Sequence, residues 1–270
     1  MYCDFWKLRE LPFQNAPDAK FLYKSNQHAE ALSRLTYLLR AKEPCGVFVG
    51  TYGCGKTLLL HAVQRLFATQ GYAFSTVTNP RLSDLDMLRM ITYGFTKGEV
   101  ATGKGDAIMA LERVLRATNQ DGKHPVVVID EAHAIEDEKV FEELRLLLNY
   151  QTETKSLLTL VLAGQSELKN KVESNKQLNQ RVSMKITLGA LNKAEVRAYI
   201  AHRLSTAGAA VKIFDDGAAD AVFSVSGGIP RWINNICHMS MLGAFMSQRK
   251  TVDAGIVKKA VSSMEINIAG

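Results

Sequence analysis

The sequence predicts an α/β fold, a mainly parallel sheet flanked by helices, followed by a small all-helical domain. Three observations carry that expectation. Apolar runs such as Val126-Val127-Val128-Ile129 and Leu160-Val161-Leu162-Ala163 lack polar alternation, as strands buried on both faces of a parallel sheet do. Segments with apolar residues three and four apart stand between such runs, and alternating strands and helices build parallel sheets. Beyond Leu188 the strand signals fade, and the remaining chain reads as helices punctuated by glycines.

Residues 1–27 set Phe5, Trp6, Phe13, Phe21 and Tyr23 among Pro12 and Pro17, which predicts an irregular segment packed on a core rather than a free arm. A stripe of Ala31, Leu32, Leu35, Leu38 and Leu39 predicts a helix over 28–39. Gly46-Val47-Phe48-Val49 is a short strand that stops at Gly50, and helical periodicity resumes over 58–67. A second strand, 73–77, precedes helices over 83–94 and 106–118. The strand 126–129, a helix over 140–149 and a strand over 157–163 complete the sheet region. Four helices near 192–207, 215–226, 230–247 and 253–264 follow, with Gly208, Gly217, Gly227-Gly228 and Pro230 among them.

With 270 residues, 47% of them apolar, the chain can bury a sizeable core. A net charge of +6 and a pI near 9.1 leave two readings open: a solvated basic surface, or an anionic partner such as nucleic acid, phosphate or a membrane surface. Cys3, Cys45, Cys54 and Cys237 show neither paired nor metal-ligand spacing, so a disulfide framework or zinc site is not expected, and a reducing cytoplasm fits. The amino terminus scatters charges where a signal peptide needs an apolar core, and no apolar stretch approaches the ~18 residues that span a bilayer. A cytoplasmic chain without an integral membrane segment is the expectation.

Gly50-Thr51-Tyr52-Gly53-Cys54-Gly55-Lys56-Thr57 fits G-x-x-x-x-G-K-[ST] between a strand and a helix. Glycines let backbone amides wrap phosphates, and the helix amino end adds partial positive charge. Lys56 is expected to reach the β- and γ-phosphates of ATP, and the Thr57 hydroxyl to sit on Mg2+. Asp130-Glu131 closes the run 126–129, at the strand end where ligands of open α/β sheets bind. Asp130 is expected to hold Mg2+ and Glu131 to orient or deprotonate the attacking water. His133 reads as a solvated helix-start residue. Gln165 follows the strand expected beside that of Asp130 and is a candidate sensor of the γ-phosphate, though alone it reads as a turn residue. Arg181 and Arg231, taken alone, read as surface charges.

Together these blocks resemble the AAA+ ATPases of the ExeA (GspA) kind, known from type II secretion and pilus assembly. The resemblance runs from Met1-Tyr2, Phe5, Leu8, Pro12-Phe13, Pro17-Asp18 and Phe21-Leu22-Tyr23 through His28-Ala29-Glu30-Ala31-Leu32 and the loop to Asp130-Glu131-Ala132-His133. It continues through Glu142 to Leu147, Leu160 to Gln165, Leu178 to Arg181, Glu195 to Ala207 and Gly227-Gly228-Ile229-Pro230-Arg231. It implies an AAA+ nucleotide-binding domain over 1–188, including an amino-terminal docking segment, and a helical lid over 189–270. It also implies that Gln165 is the sensor 1 residue, Arg181 an arginine finger acting on a neighbouring subunit, and Arg231 the sensor 2 arginine of the lid. A finger supplied in trans implies a homo-oligomer, a ring or filament. The implied partner is a secretion or pilus component. Longer family members carry a transmembrane helix and a peptidoglycan-binding region after the ATPase; neither is in this sequence, so those properties are not carried over. The loop and the Asp-Glu pair are also similar to transposition regulators of the TnsC and TniB kind, whose partners are DNA and a transposase. Tyr52 and Cys54 fill variable loop positions, and Cys54 reads as an inert thiol rather than a redox-sensitive one.

Overall fold

The computed structural model describes residues 2–16, 18–152 and 155–264, so Met1 and Pro17, cited above, lie outside it. In chain order the elements are α1 (Tyr2–Trp6), α2 (Asn26–Arg40), β1 (Cys45–Gly50), α3 (Lys56–Phe67), β2 (Tyr72–Val77), α4 (Asp84–Thr96), α5 (Lys104–Gln120) and β3 (His124–Ile129). There follow α6 (Glu138–Leu147), β4 (Thr159–Gly164), α7 (Ser166–Ser174), α8 (Lys176–Arg181) and β5 (Met184–Leu188). The last are α9 (Lys193–Thr206), α10 (Asp216–Ser226), α11 (Pro230–Met246) and α12 (Ala254–Ser263). They form two compact units. One comprises Ala29–Gly50 and Leu59–Leu188, the other Met1–His28, Thr51–Leu58 and Gly189–Gly270.

The first unit is built on a five-stranded sheet in the order β2-β3-β4-β1-β5, every pair parallel. Strands β1, β3 and β4 are buried along their whole length, which is why their sequences run apolar without alternation. Val49 stands opposite Gly164, Gly50 opposite Leu188, and Ile129 opposite Leu162. The carboxyl ends of β1, β3, β4 and β5 therefore share one edge of the sheet. Val47, Ile129, Leu160 and Leu162 meet Met87, Ile91, Leu111 and Leu144 from the helices in one buried cluster. The edge strand β5 buries only alternate residues, Ile186 and Leu188, and the sequence reading passes over it.

The second unit is a helical cluster whose elements have strong local start signals. Asn192 and Glu195 form a reciprocal capping box at α9, Asp215 caps α10, Pro230 opens α11 and Asp253 caps α12. Its apolar cluster joins Val196, Ile200, Ile233, Met241 and Val257 to Tyr2, Trp6, Leu8 and Phe13. The amino-terminal segment docks on these helices, whereas the sequence reading groups it with the residues up to 188. Arg203 explains part of the choice. Buried at 4% exposure, it donates to the carbonyls of Pro12 (2.6 Å) and Gln14 (2.7 Å) and to the Tyr199 hydroxyl (3.0 Å), and stacks 4.5 Å from the Phe21 ring centre.

Candidate nucleotide site

Between β1 and α3 the chain makes a tight loop. Gly53 and Gly55 take φ values of 82° and 100°, which side-chain-bearing residues rarely adopt. The Cys54 N–H and the Lys56 Nζ both donate to the Thr51 carbonyl, at 3.2 and 3.3 Å. Lys56 is buried at the amino end of α3, with Thr57 next to it. A buried ammonium at a helix amino end, framed by glycine backbone, suits an anion such as a phosphate chain. Cys54 is fully buried and burial pushes its thiol pKa up, as expected of an inert thiol. Sequence reasoning missed His28, whose Nε2 donates to the Cys54 carbonyl (3.1 Å) while Nδ1 lies 2.7 Å from the Ser25 hydroxyl. Burial lowers its pKa, favouring the neutral ring this pattern needs.

On the sheet, Asp130 is 4% exposed just beyond β3, and its Oδ1 accepts the Glu131 N–H at 2.9 Å. Glu131 has a φ of 53°, a left-handed conformation for a non-glycine residue. Such backbone costs about 1–3 kcal/mol and persists only where neighbours fix it. The neighbours are evident. His133 Nδ1 lies 3.4 Å from the Glu131 carboxylate, and His133 Nε2 lies 3.0 Å from the Gln165 side-chain amide. Lys171 Nζ donates to the carbonyls of His133 (2.7 Å) and Ile135 (2.6 Å), pinning the 3-10 turn Ala132–Ala134. A Cβ on Gly164 would lie 3.0 Å from the His133 nitrogen, so a side chain at the end of β4 would press on this turn. The expectation of a solvated His133 is corrected: its ring is mostly covered and links Glu131 to Gln165. Lys171, one more lysine in a polar helix, gave no sequence signal.

The two arginines lie in different surroundings. Arg231, second residue of α11, stacks its guanidinium 4.4 Å from the Tyr52 ring centre and donates through Nη1 to the Tyr52 hydroxyl. Its backbone N–H donates to the Gly53 carbonyl at 3.3 Å. Arg181 ends α8 just before β5 and is exposed, donating to Asn149 Oδ1 at 3.1 Å. With Arg40, Lys42 and Lys155 it lines a cleft of about 660 Å³ at the amino edge of the sheet. One strand length, about 16 Å, separates that edge from the edge carrying Asp130, Glu131 and Gln165.

The AAA domain family matches residues 39–172, a span holding the loop, the Asp-Glu pair and Gln165. General secretion pathway protein A of Aeromonas hydrophila is 35% identical over 252 residues, 91% of this chain. The chain thus carries an AAA domain and resembles the ExeA/GspA-like AAA+ ATPases. It spans 45% of the length of that relative. Among solved structures, Cdc6p from Pyrobaculum aerophilum is similar with a TM-score of 0.75 at 15% identity, over 93% of this chain and 72% of that one. The ORC2 protein of Aeropyrum pernix gives 0.67 at 18% identity (91% and 68%), and the RuvB branch migration motor of Thermotoga maritima 0.62 at 18% (90% and 70%). At these identities the structural likenesses establish the fold of this AAA+ protein. Among its described residues no helix is long and apolar enough to cross a membrane.

Proposed function

We propose that this AAA+ protein binds ATP with Mg2+ and hydrolyses it, and that nucleotide state governs assembly of copies of the chain, as a ring or filament, in secretion or pilus biogenesis. One observation carries the reading. The carboxyl edge of the sheet gathers the end of β1 that feeds the glycine loop, Asp130-Glu131 beyond β3 and Gln165 beyond the intervening β4, with His133 joining Glu131 to Gln165.

In this reading the loop amides and Lys56 bind the phosphates, and Thr57 and Asp130 are the residues that would hold Mg2+. The ion, when bound, would supply neutralisation of phosphate charge. Glu131 takes the proton of the attacking water, its carboxylate steadied by His133 and its strained backbone by the turn that Lys171 pins. Gln165 and Arg231 report the γ-phosphate. Arg181 lies at the far edge from its own Asp130, and that supports action on a neighbouring copy. The four free thiols support a cytoplasmic location.

Nucleotide binding and turnover by two variants test this. Lys56→Ala should lose binding or turnover, and Glu131→Gln should bind ATP yet hydrolyse it about 10²-fold more slowly or worse. Full turnover by either would sink the mechanism. A second reading, an ATP-dependent DNA-binding helper of a transposase, is favoured by the cleft of Arg40, Lys42, Lys155 and Arg181 together with the net charge of +6. DNA binding titrated against salt, with and without ATP, decides it: no binding at low salt in the ATP state removes that reading.

A further inference from the structure

Tyr52 fills a position of the loop motif open to any residue, and at 52% exposure it is not there to fill a core. What its side chain does is hold Arg231. The guanidinium carbon lies 4.4 Å from the ring centre, and Nη1 donates to the phenol oxygen. The adjoining residue adds two further ties. The Gly53 carbonyl accepts the Arg231 N–H at 3.3 Å, using one of the donors that the first turn of a helix leaves without an internal partner. A Cβ on Gly53 would lie 2.8 Å from the Arg231 Cβ, so the loop backbone fits directly against the first turn of α11. Residues 52 and 53 therefore grip both the backbone and the charged tip of Arg231.

A free arginine side chain samples many rotamers, and binding a phosphate with it costs that freedom. Here the freedom is restricted beforehand by an aromatic face and a hydroxyl. The bond to Tyr52 uses one of the five guanidinium N–H donors, so a phosphate can be met through the others while the ring contact is kept. We propose that Tyr52 is a positioning residue that keeps the Arg231 guanidinium beside the loop, so that Arg231 meets the terminal phosphate of ATP from a preset rotamer and the site favours ATP over ADP. This rests on the reading of the loop as an ATP site.

The test is a double-mutant cycle read by calorimetric titration of Mg-ATP and Mg-ADP into wild type, Tyr52→Ala, Tyr52→Phe, Arg231→Ala and Tyr52→Ala/Arg231→Ala. Tyr52→Ala should weaken ATP about fivefold and leave ADP within about twofold, the size of one cation–π contact with its hydrogen bond. Tyr52→Phe, which keeps the ring, should fall between Tyr52→Ala and wild type. In the Arg231→Ala background, Tyr52→Ala should change nothing further. Losses that multiply in the double variant, or equal losses for ATP and ADP, would overturn the proposal and make Tyr52 a part of the loop's general shape. Wild type that binds neither nucleotide would instead overturn the ATP reading itself.

Discussion

His124, at the start of β3, has its ring chemistry settled by its neighbours. The Thr159 hydroxyl donates to the Glu43 carbonyl (2.8 Å) and so accepts from His124 Nε2 (2.9 Å), which leaves Nδ1 the unprotonated nitrogen. That nitrogen is buried with no hydrogen-bond partner among the described residues. Burial, helped by the nearby Lys42 charge, pushes the pKa from 6.5 down to about 4. The unfolded chain then binds the proton more readily than the folded one. Stability from this site is complete above about pH 6.5 and is lost as pH falls toward 4, by about 3 kcal/mol. Urea midpoints across that range should fall for wild type, and His124→Leu should show a slope shallower by the equivalent of one proton. An unchanged slope in the variant would refute the assignment. At this scale the sequence singles out residues where a motif assigns them a role, as at Lys56 and Asp130. It was silent where a residue works through a neighbour distant along the chain. His133 meets Gln165 because β3 and β4 pair; the sequence reading sets those strands side by side, but no local pattern says that this ring reaches across.

Among the elements, strands β1, β3 and β4 were legible because full burial demands continuous apolar runs. Strand β5 was not, since as an edge strand it has one partner and alternates Lys185 and Thr187 with buried Ile186 and Leu188. Helices α7 and α8 were missed for a related reason. Helix α7 buries only Leu168 and Val172, and α8 only Leu178, too few for a stripe. Part of the anchoring of the amino-terminal segment comes from a buried cation, Arg203. Arg203→Leu should cost about 3 kcal/mol, because the buried Pro12 carbonyl and Tyr199 hydroxyl lose their charged donor and stay covered. Urea unfolding monitored by Trp6 fluorescence measures it, and a loss below about 1 kcal/mol would show the apolar contacts of Trp6 and Phe13 to be sufficient.

For the whole molecule, the separation of Arg181 from its own Asp130 by the length of the sheet makes a mixing experiment decisive. Arg181→Ala should keep ATP binding and lose about 10³-fold in turnover. Lys56→Ala subunits keep Arg181 but lack the phosphate lysine. Mixed with Arg181→Ala subunits, they should restore hydrolysis that neither variant supports alone. Mixtures as inactive as their components would place Arg181 outside the reaction. Taken alone in the sequence Arg181 reads as a surface charge, and only the resemblance assigns it to a neighbouring copy, because that is a property of an assembly and not of a sequence segment.

The Trp6 indole donates to the Lys250 carbonyl at 2.8 Å, and the Tyr2 hydroxyl meets His238 at 2.9 Å. These bonds join the first turn of helix to almost the last, and that sets a timetable for synthesis. At about 5–20 residues per second, the amino-terminal aromatics leave the ribosome roughly 10–50 s before the helices that cover them. The sheet can close in that interval, but Trp6 and Phe13 cannot be buried until helices α9 to α12 have been made. These aromatics thus stay uncovered while the whole sheet region is being made, a natural client for holding chaperones and a stretch from which misassembly would start.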